Sequence, residues 1–143
     1  MTNQEKKVWL LQYRSLDRQI NRLEKEKKEW IERATKMSTP SDGMPHGSGV
    51  SDTVGFAVSK SADLATEIDR EIDKLADLRR EIEAAIRTVE DGTMRNLLKL
   101  YYIDGYTLEA VADEIHYCYR QTRRLHWKAL TEMKMSCNVP LHL

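Results

Sequence analysis

The residues best suited to chemistry lie near the carboxyl end of the chain, between Tyr119 and Lys134. This segment holds five cations and a single acid, Glu132, so its local charge is +4 in a chain of 143 residues whose 23 basic and 23 acidic side chains cancel. The cations are Arg120, Arg123, Arg124, Lys128 and Lys134. A helix fits the major groove of DNA, and arginine side chains there match guanine O6 and N7 or phosphate oxygens. The segment therefore has the composition of a helix that reads duplex DNA.

The first turns of such a helix carry the side chains that reach base edges. Residue types suited to this task stand at its start, and the expected base-facing positions are Tyr119, Arg120, Gln121, Arg123 and Arg124. Two further residues of the segment are candidates for DNA binding. Lys128 adds positive charge, and His126 is expected to contact phosphate or to pack at the edge of the motif.

Three short helices are predicted to position these side chains. Their expected bounds are Thr93 to Ile103, Leu108 to Ile115, and Tyr119 to about Met135. Thr107 can cap the second helix, whose apolar residues recur at the i, i+3, i+4, i+7 spacing of a buried side. Three residues, 116–118, separate the second helix from the third. A short helix, a tight turn and a second helix form a helix-turn-helix.

Two long helices are predicted in the first two-thirds of the chain. Residues 5–37 and 61–89 contain no glycine or proline and are rich in helix-forming residues. Residues 38–60 between them carry several prolines and glycines, which predicts an irregular loop. The expected fold is all-α. It consists of a long antiparallel, coiled-coil-like helical hairpin (1–91), a helix-turn-helix unit (92–136) and a tail (137–143).

Each long helix carries a heptad seam that has one charged interior member. When the two seams are aligned end to end in antiparallel order, Lys27 falls opposite Glu71, which predicts a pair that sets the register. The segment charges agree, because residues 5–37 hold ten basic and six acidic residues (+4) and residues 61–91 hold five and ten (−5). Pairing between chains remains open. So does a second stripe through Ile72, Arg79 and Ile86.

Other classes of function find little support in the residue types. The carboxylates of residues 63–90 are spread along a predicted helix with arginine and lysine among them, as on a solvated face. The chain has no Ser/His/Asp set or glycine-rich phosphate loop, so we do not expect an enzyme. Cys118 and Cys137 form no zinc spacing with the histidines, so we expect no metal or cofactor. No apolar run approaches the roughly 20 residues that span a bilayer, and the start of the chain does not have the pattern of a signal peptide. We expect a soluble protein in the cytoplasm that does not bind membranes.

The segment YTLEAVADEIHYCYRQTRRLHWKAL resembles the helix-turn-helix of sigma factor region 4. The positions that match its pattern are Thr107, Leu108, Glu109, Val111, Arg123 and Lys128-Ala129-Leu130. With the long helices before it, the segment resembles small phage-encoded transcriptional regulators of the RinA and ArpU type. The resemblance implies promoter binding and late-gene activation in a bacterial host, with Thr107 as a phosphate contact.

Two positions depart from the pattern of that family. His116 stands in the turn where glycine is frequent, so a left-handed backbone there would carry strain that histidine tolerates better than most residues. Cys118 stands where serine or threonine often caps the recognition helix, and a thiol is a poor substitute.

The resemblance leaves several modes of action open. A regulator can bind duplex DNA at an operator, or it can hold RNA polymerase at a promoter. A small terminase-like component of DNA packaging combines similar elements, and a coiled-coil interaction protein with a vestigial motif is a third reading. We expect a homodimer, because one helix-turn-helix covers a single half-site. A terminase subunit would form a ring, so the mass in solution separates these readings.

Overall fold

The computed structural model describes residues 1–37 and 50–135, and within these ranges the ordered elements are all helical. We name them α1 to α5, with a single π-helical turn after α3 that we call the π turn. Their bounds are α1 Asn3–Met37, α2 Val50–Ile86, α3 Gly92–Leu98, the π turn Lys99–Ile103, α4 Leu108–Ile115 and α5 Tyr119–Glu132. The predicted all-α fold with a packed pair of long helices is confirmed. The predicted tail, 137–143, lies outside the described residues.

The start of α1 is fixed by a reciprocal cap. The Thr2 hydroxyl accepts from the Glu5 backbone N–H at 3.2 Å, and the Glu5 carboxylate accepts from the Thr2 backbone N–H at 2.8 Å. This arrangement satisfies two donors that a helix start otherwise leaves without a partner. A similar device begins α3, where the Asp91 carboxylate accepts from the backbone N–H groups of Thr93 and Met94 at 2.8 and 3.3 Å.

The second long helix begins at Val50, which corrects the predicted start near Ser61. The predicted loop 38–60 is therefore helical in its last part, and its residues 38–49 lie outside the described residues. Gly55 costs about 1 kcal/mol relative to alanine inside a helix. The burial of Ala57, which is 1% exposed, offsets part of that cost, and Val54 and Ala57 continue the heptad spacing of Ser61.

Residue contacts divide the chain into two compact units. Unit 1 contains Met1–Leu16 and the chain from Leu75 onward, and unit 2 contains Asp17–Lys74. The ends of the long helices, 1–16 and 75–91, thus belong to the same unit as the predicted helix-turn-helix, whereas the sequence analysis grouped them with the hairpin.

The core of unit 1 explains this grouping. It joins the first turns of α1, the last turns of α2 and all the short helices in one cluster. Its largest fully buried side chains are Trp9, Leu10, Ile82, Ile86, Leu97, Leu98, Tyr102, Leu130 and Met133. Full burial of such a side chain stabilises a fold by about 1.5–3 kcal/mol. The position of α5 is therefore set by the long helices as well as by its neighbours in sequence.

In unit 2, residues 17–37 of α1 pack against α2 along the predicted seam. Ile20, Leu64 and Ile68 are buried, and the charged seam members Lys27 and Glu71 are half-buried. The alternative stripe is not used at Ile72, which is 42% exposed. The seam residues were predicted correctly, but their register was not.

Contacts in unit 2 place the register at least one heptad away from the predicted one. The rings of Trp30 and Phe56 meet edge to face with centroids 5.7 Å apart, whereas the predicted register puts Trp30 opposite Ile68, about 18 Å further along α2. Ala34 lines a cavity of about 260 Å³ together with Ala57, and a one-heptad shift brings these two residues level.

The predicted Lys27–Glu71 layer is therefore wrong. Glu71 instead pairs with Lys74, one turn along its own helix, at 3.2 Å. The physical reason is the early start of α2, which adds Val54 and Ala57 to the apolar seam. A slide of one heptad buries these added layers, and it leaves each charged seam member level with an apolar residue of the other helix.

Candidate nucleic-acid interface

The helix-turn-helix forms at the predicted positions. Thr107 has an extended backbone, and its hydroxyl accepts from the Ala110 backbone N–H at 3.2 Å, so the predicted cap of α4 is confirmed. Val111 and Ala112 are buried, as the spacing predicted. The Thr107 side chain is exposed, and its role as a phosphate contact stays a prediction.

The turn between α4 and α5 depends on a left-handed residue. His116 has φ 61° and ψ 38°, and its backbone N–H donates to the Ala112 carbonyl oxygen. The Tyr117 N–H donates to the same oxygen at 3.1 Å. A side chain in this region of backbone space is strained by about 1–2 kcal/mol, and histidine is enriched there relative to most residues. The left-handed backbone that the family pattern implied at His116 is present.

The start of α5 has a weak cap. Cys118 is the N-cap residue with an extended backbone, and its side chain makes no capping hydrogen bond. Its carbonyl oxygen instead accepts from the Thr122 N–H and hydroxyl, each at 2.9 Å. The first N–H groups of α5 therefore receive no acceptor from the thiol. This agrees with the expectation that a thiol caps a helix less well than a hydroxyl.

The sides of α5 differ sharply in exposure. Thr122, Ala129 and Leu130 are fully buried and hold the helix against α3 and α4. The predicted DNA-facing side chains of α5 other than His126 are exposed to solvent. They are Tyr119, Arg120, Gln121, Arg123, Arg124 and Lys128. The fold thus presents these candidates together on one element.

Most of these residues line a broad concave surface of about 1050 Å³. It includes the side chains of Tyr119, Arg120, Arg123, Arg124 and Lys128 from α5, with Leu108 from α4. The Arg123 guanidinium lies over the Tyr119 ring, 5.9 Å from its centroid. A second, smaller concavity of about 360 Å³ includes Gln121 together with Arg120 and Arg124. Positive side chains therefore flank the exposed ridge of α5 on both sides.

His126 does not belong to this exposed set. Of its two expected roles, the structure shows packing within the motif, and its prediction as a DNA contact is corrected. His126 is 6% exposed, and its Nε2 lies 2.6 Å from the hydroxyl oxygen of Tyr102. Burial, with a smaller effect from the charge of Lys7, lowers the pKa of His126 to about 4. The imidazole is therefore neutral near pH 7. The i, i+4, i+7 spacing of Thr122, His126 and Ala129 on α5 would have indicated this burial from sequence.

Three residues of α1 that the sequence analysis did not single out fix the helix-turn-helix. The Lys6 ammonium donates to the carbonyl oxygens of Leu130 and Met133, each at 2.7 Å, and so closes the carboxyl end of α5. α5 ends at Glu132 rather than near Met135, and Lys6 supplies donors to the carbonyl oxygens at that end. Asn3 Nδ2 donates to the Thr131 hydroxyl at 2.7 Å.

Arg14 makes the third link from α1. Its guanidinium donates to the carbonyl oxygens of Tyr101 and Tyr106, the latter at 2.9 Å, and it lies 4.4 Å from the centroid of the Tyr101 ring. These contacts hold the segment between the π turn and α4. Each link from α1 joins residues far apart in sequence, so no local pattern could reveal it.

The described residues hold no group of three or more His, Cys, Asp or Glu side chains able to bind a metal ion. None of the described helices combines the length and the apolar character needed to cross a membrane. Comparison of the chain with known protein families, with curated proteins and with solved structures found no match.

Proposed function

We propose that this protein is a sequence-specific, duplex DNA-binding regulator of transcription that reads DNA with α5. The observation that carries the proposal is the outward row of Tyr119, Arg120, Gln121, Arg123 and Arg124 on the second helix of a helix-turn-helix. A buried opposite side holds this row in place. The protein acts by binding rather than by catalysis, and it needs no cofactor.

Electrostatics support DNA as the partner. The chain carries no net charge, yet α5 gathers four cations and one acid. Phosphate neutralisation by Lys and Arg supplies most of the non-specific affinity of DNA-binding proteins. Arginine that reaches guanine O6 and N7, or glutamine that reaches adenine N6 and N7, adds the sequence preference. The exposed residues of α5 include both types.

The resemblance to the RinA and ArpU type regulators supports the biological setting. On that basis, the protein acts in the cytoplasm of a bacterial host on phage or prophage late genes. It binds an operator directly or assists RNA polymerase at a promoter.

The experiment is selection of bound duplexes from a random library, followed by affinity measurements on the selected sequence and on a scrambled one. The proposal predicts enrichment of a defined motif and tighter binding to it at physiological salt. Equal affinity for both duplexes would reject sequence-specific reading, and no affinity for either would reject DNA as the partner. The molecular mass of the protein in solution is measured in parallel, because a ring oligomer would favour DNA packaging over regulation.

A further inference from the structure

Trp127 is an unusual residue on the surface of α5. Its side chain is 53% exposed, and it lines the same concave surface as Arg123 and Arg124. Its backbone carbonyl oxygen accepts from Asn3 Nδ2 at 3.3 Å and from the Thr131 hydroxyl at 3.1 Å. The beginning of α1 thus lies against α5 at this residue. A large aromatic side chain that is exposed to solvent among cations is suited to contact a partner that has both charged and apolar groups.

Lys7 approaches the same place from α1. It is half-buried and lines the concave surface with Trp127, Lys128 and Thr131. The preceding residue, Lys6, is bonded to the carboxyl end of α5, which fixes this turn of α1 against that helix. The charge of Lys7 also contributes to the lowered pKa of His126, as expected for a cation close to the middle of α5.

Trp127 lies about two turns of α5 beyond Tyr119, the first of the predicted base-facing residues. Tyr119 and Trp127 are separated by about 12 Å along α5 at 1.5 Å per residue. The major groove is about 12 Å wide. A recognition helix reaches base edges with its first turns, so if the first turn of α5 enters the groove, Trp127 and Lys7 would face the sugar-phosphate backbone beside it.

We propose that Lys7 and Trp127 form a second DNA contact, to the sugar-phosphate backbone beside the groove that α5 enters. This inference rests on the proposed function of α5, and it makes α1 part of the DNA interface. The lysine ammonium pairs with a phosphate oxygen. The indole ring packs on a deoxyribose, and its N–H donates to a phosphate oxygen. These contacts add affinity and orientation but carry no base preference.

The test compares Lys7→Gln and Trp127→Ala with the unchanged protein on the selected duplex and on the scrambled duplex, over a range of salt concentrations. Each variant should bind both duplexes more weakly by a similar factor, about threefold or more, and Lys7→Gln should lower the salt slope by about one. Lys7→Glu should weaken binding further. Matched controls are Lys25→Gln and Phe56→Ala, an exposed lysine and an exposed aromatic of unit 2, which should leave affinity unchanged.

The outcomes separate this inference from the proposed function. Unchanged affinity in all three variants at Lys7 and Trp127, with a loss in Arg123→Ala/Arg124→Ala, overturns the second contact and leaves α5 as the reader. A loss confined to the selected duplex also overturns it, because it assigns base reading to these residues. Absence of binding by the unchanged protein rejects both proposals. Thermal unfolding of each variant identifies any loss of affinity caused by misfolding, and Lys7→Glu supplies the decisive comparison if Trp127→Ala unfolds.

Discussion

The hydroxyl oxygen of Tyr102 lies 2.6 Å from Nε2 of His126, inside the core of unit 1. This hydrogen bond links the π turn to α5, and both side chains are buried. In the π turn the Asp104 N–H donates to the Lys99 carbonyl oxygen at 3.0 Å, the wider i+5 pattern. Burial raises the pKa of the Tyr102 hydroxyl and lowers that of the His126 imidazole, so the pair is neutral. A polar bond within apolar surroundings fixes the rotation of α5, and with it the direction of its exposed side.

The first prediction concerns the pH dependence of stability. The pKa of His126 is about 4 in the folded protein, below its ordinary value of 6.5. Between these values the unfolded chain binds a proton that the folded protein does not, so stability falls as pH drops from about 6.5 toward 4. The loss approaches 1.4 kcal/mol per pH unit and totals on the order of 3 kcal/mol. Urea unfolding at pH 7, 6 and 5 measures it.

Two variants isolate the contribution of His126 from that of the carboxylates. His126→Gln keeps a hydrogen-bonding group near Tyr102 but does not titrate, so its stability should fall less steeply over the same pH interval. His116→Asn, which removes an exposed histidine in the left-handed turn, should keep the slope of the unchanged protein. An equal slope in all three proteins would contradict the burial of a neutral His126.

The second prediction concerns the Lys6 cap. Lys6→Met keeps the apolar stem but removes the donor to the Leu130 and Met133 carbonyl oxygens. Hydrogen bonds to charged groups contribute about 1.5–3 kcal/mol, so the free energy of unfolding should fall by about 2 kcal/mol. Lys28→Met, at an exposed position of the same helix, should change it by less than about 0.5 kcal/mol. Similar small effects of both changes would show that the cap contributes nothing to stability.

The third prediction concerns the left-handed turn. Glycine adopts the backbone of His116 without a Cβ penalty, so His116→Gly should raise stability by about 1 kcal/mol, less the entropy that glycine adds to the unfolded chain. His116→Val should lower it, because a β-branched side chain fits this region poorly. Thermal unfolding of the two variants measures the difference. A more stable valine variant would be incompatible with the left-handed conformation.

The fourth prediction tests the register of unit 2. Because Lys27 and Glu71 lie on different layers, the stability effects of Lys27→Leu and Glu71→Leu should add within about 0.5 kcal/mol in a double-mutant cycle. A cycle of Trp30→Ala and Phe56→Ala should show coupling of about 0.5–1.5 kcal/mol, since their rings are in contact. Strong coupling in the first cycle and none in the second would restore the register predicted from sequence.

The parts of this fold that sequence could predict are local ones. The Thr107 cap, the left-handed His116 and the buried side of α4 each depend on residues within one or two turns, and all three are confirmed. The heptad seams could also be predicted, but their register could not, because a shift of one heptad preserves the apolar pattern. The burial of Ala57 and the contact of Trp30 with Phe56 distinguish the registers.

The candidate site likewise has features that local sequence predicts and features that depend on distant residues. The exposed cations of α5 follow from helical periodicity, whereas the buried state of His126 depends on Tyr102, a residue on another element. The roles of Lys6 and Arg14 depend on partners from the other end of the chain, and no spacing rule connects such positions. Sequence therefore indicated which helix carries the exposed cations, and the structure was needed to find what holds that helix.

The most direct test of the account is the salt-dependent affinity of Arg123→Ala/Arg124→Ala for duplex DNA. Lys25→Ala/Lys28→Ala serves as the matched control, because it removes the same charge from exposed positions of α1. Fluorescence anisotropy on the selected duplex should show at least a tenfold loss of affinity and a shallower salt slope for the arginine variant, since one base-reading arginine contributes about 1–3 kcal/mol. The lysine variant should bind like the unchanged protein. Equal affinity and equal salt slope in all three proteins would contradict the assignment of α5 as the DNA-reading helix.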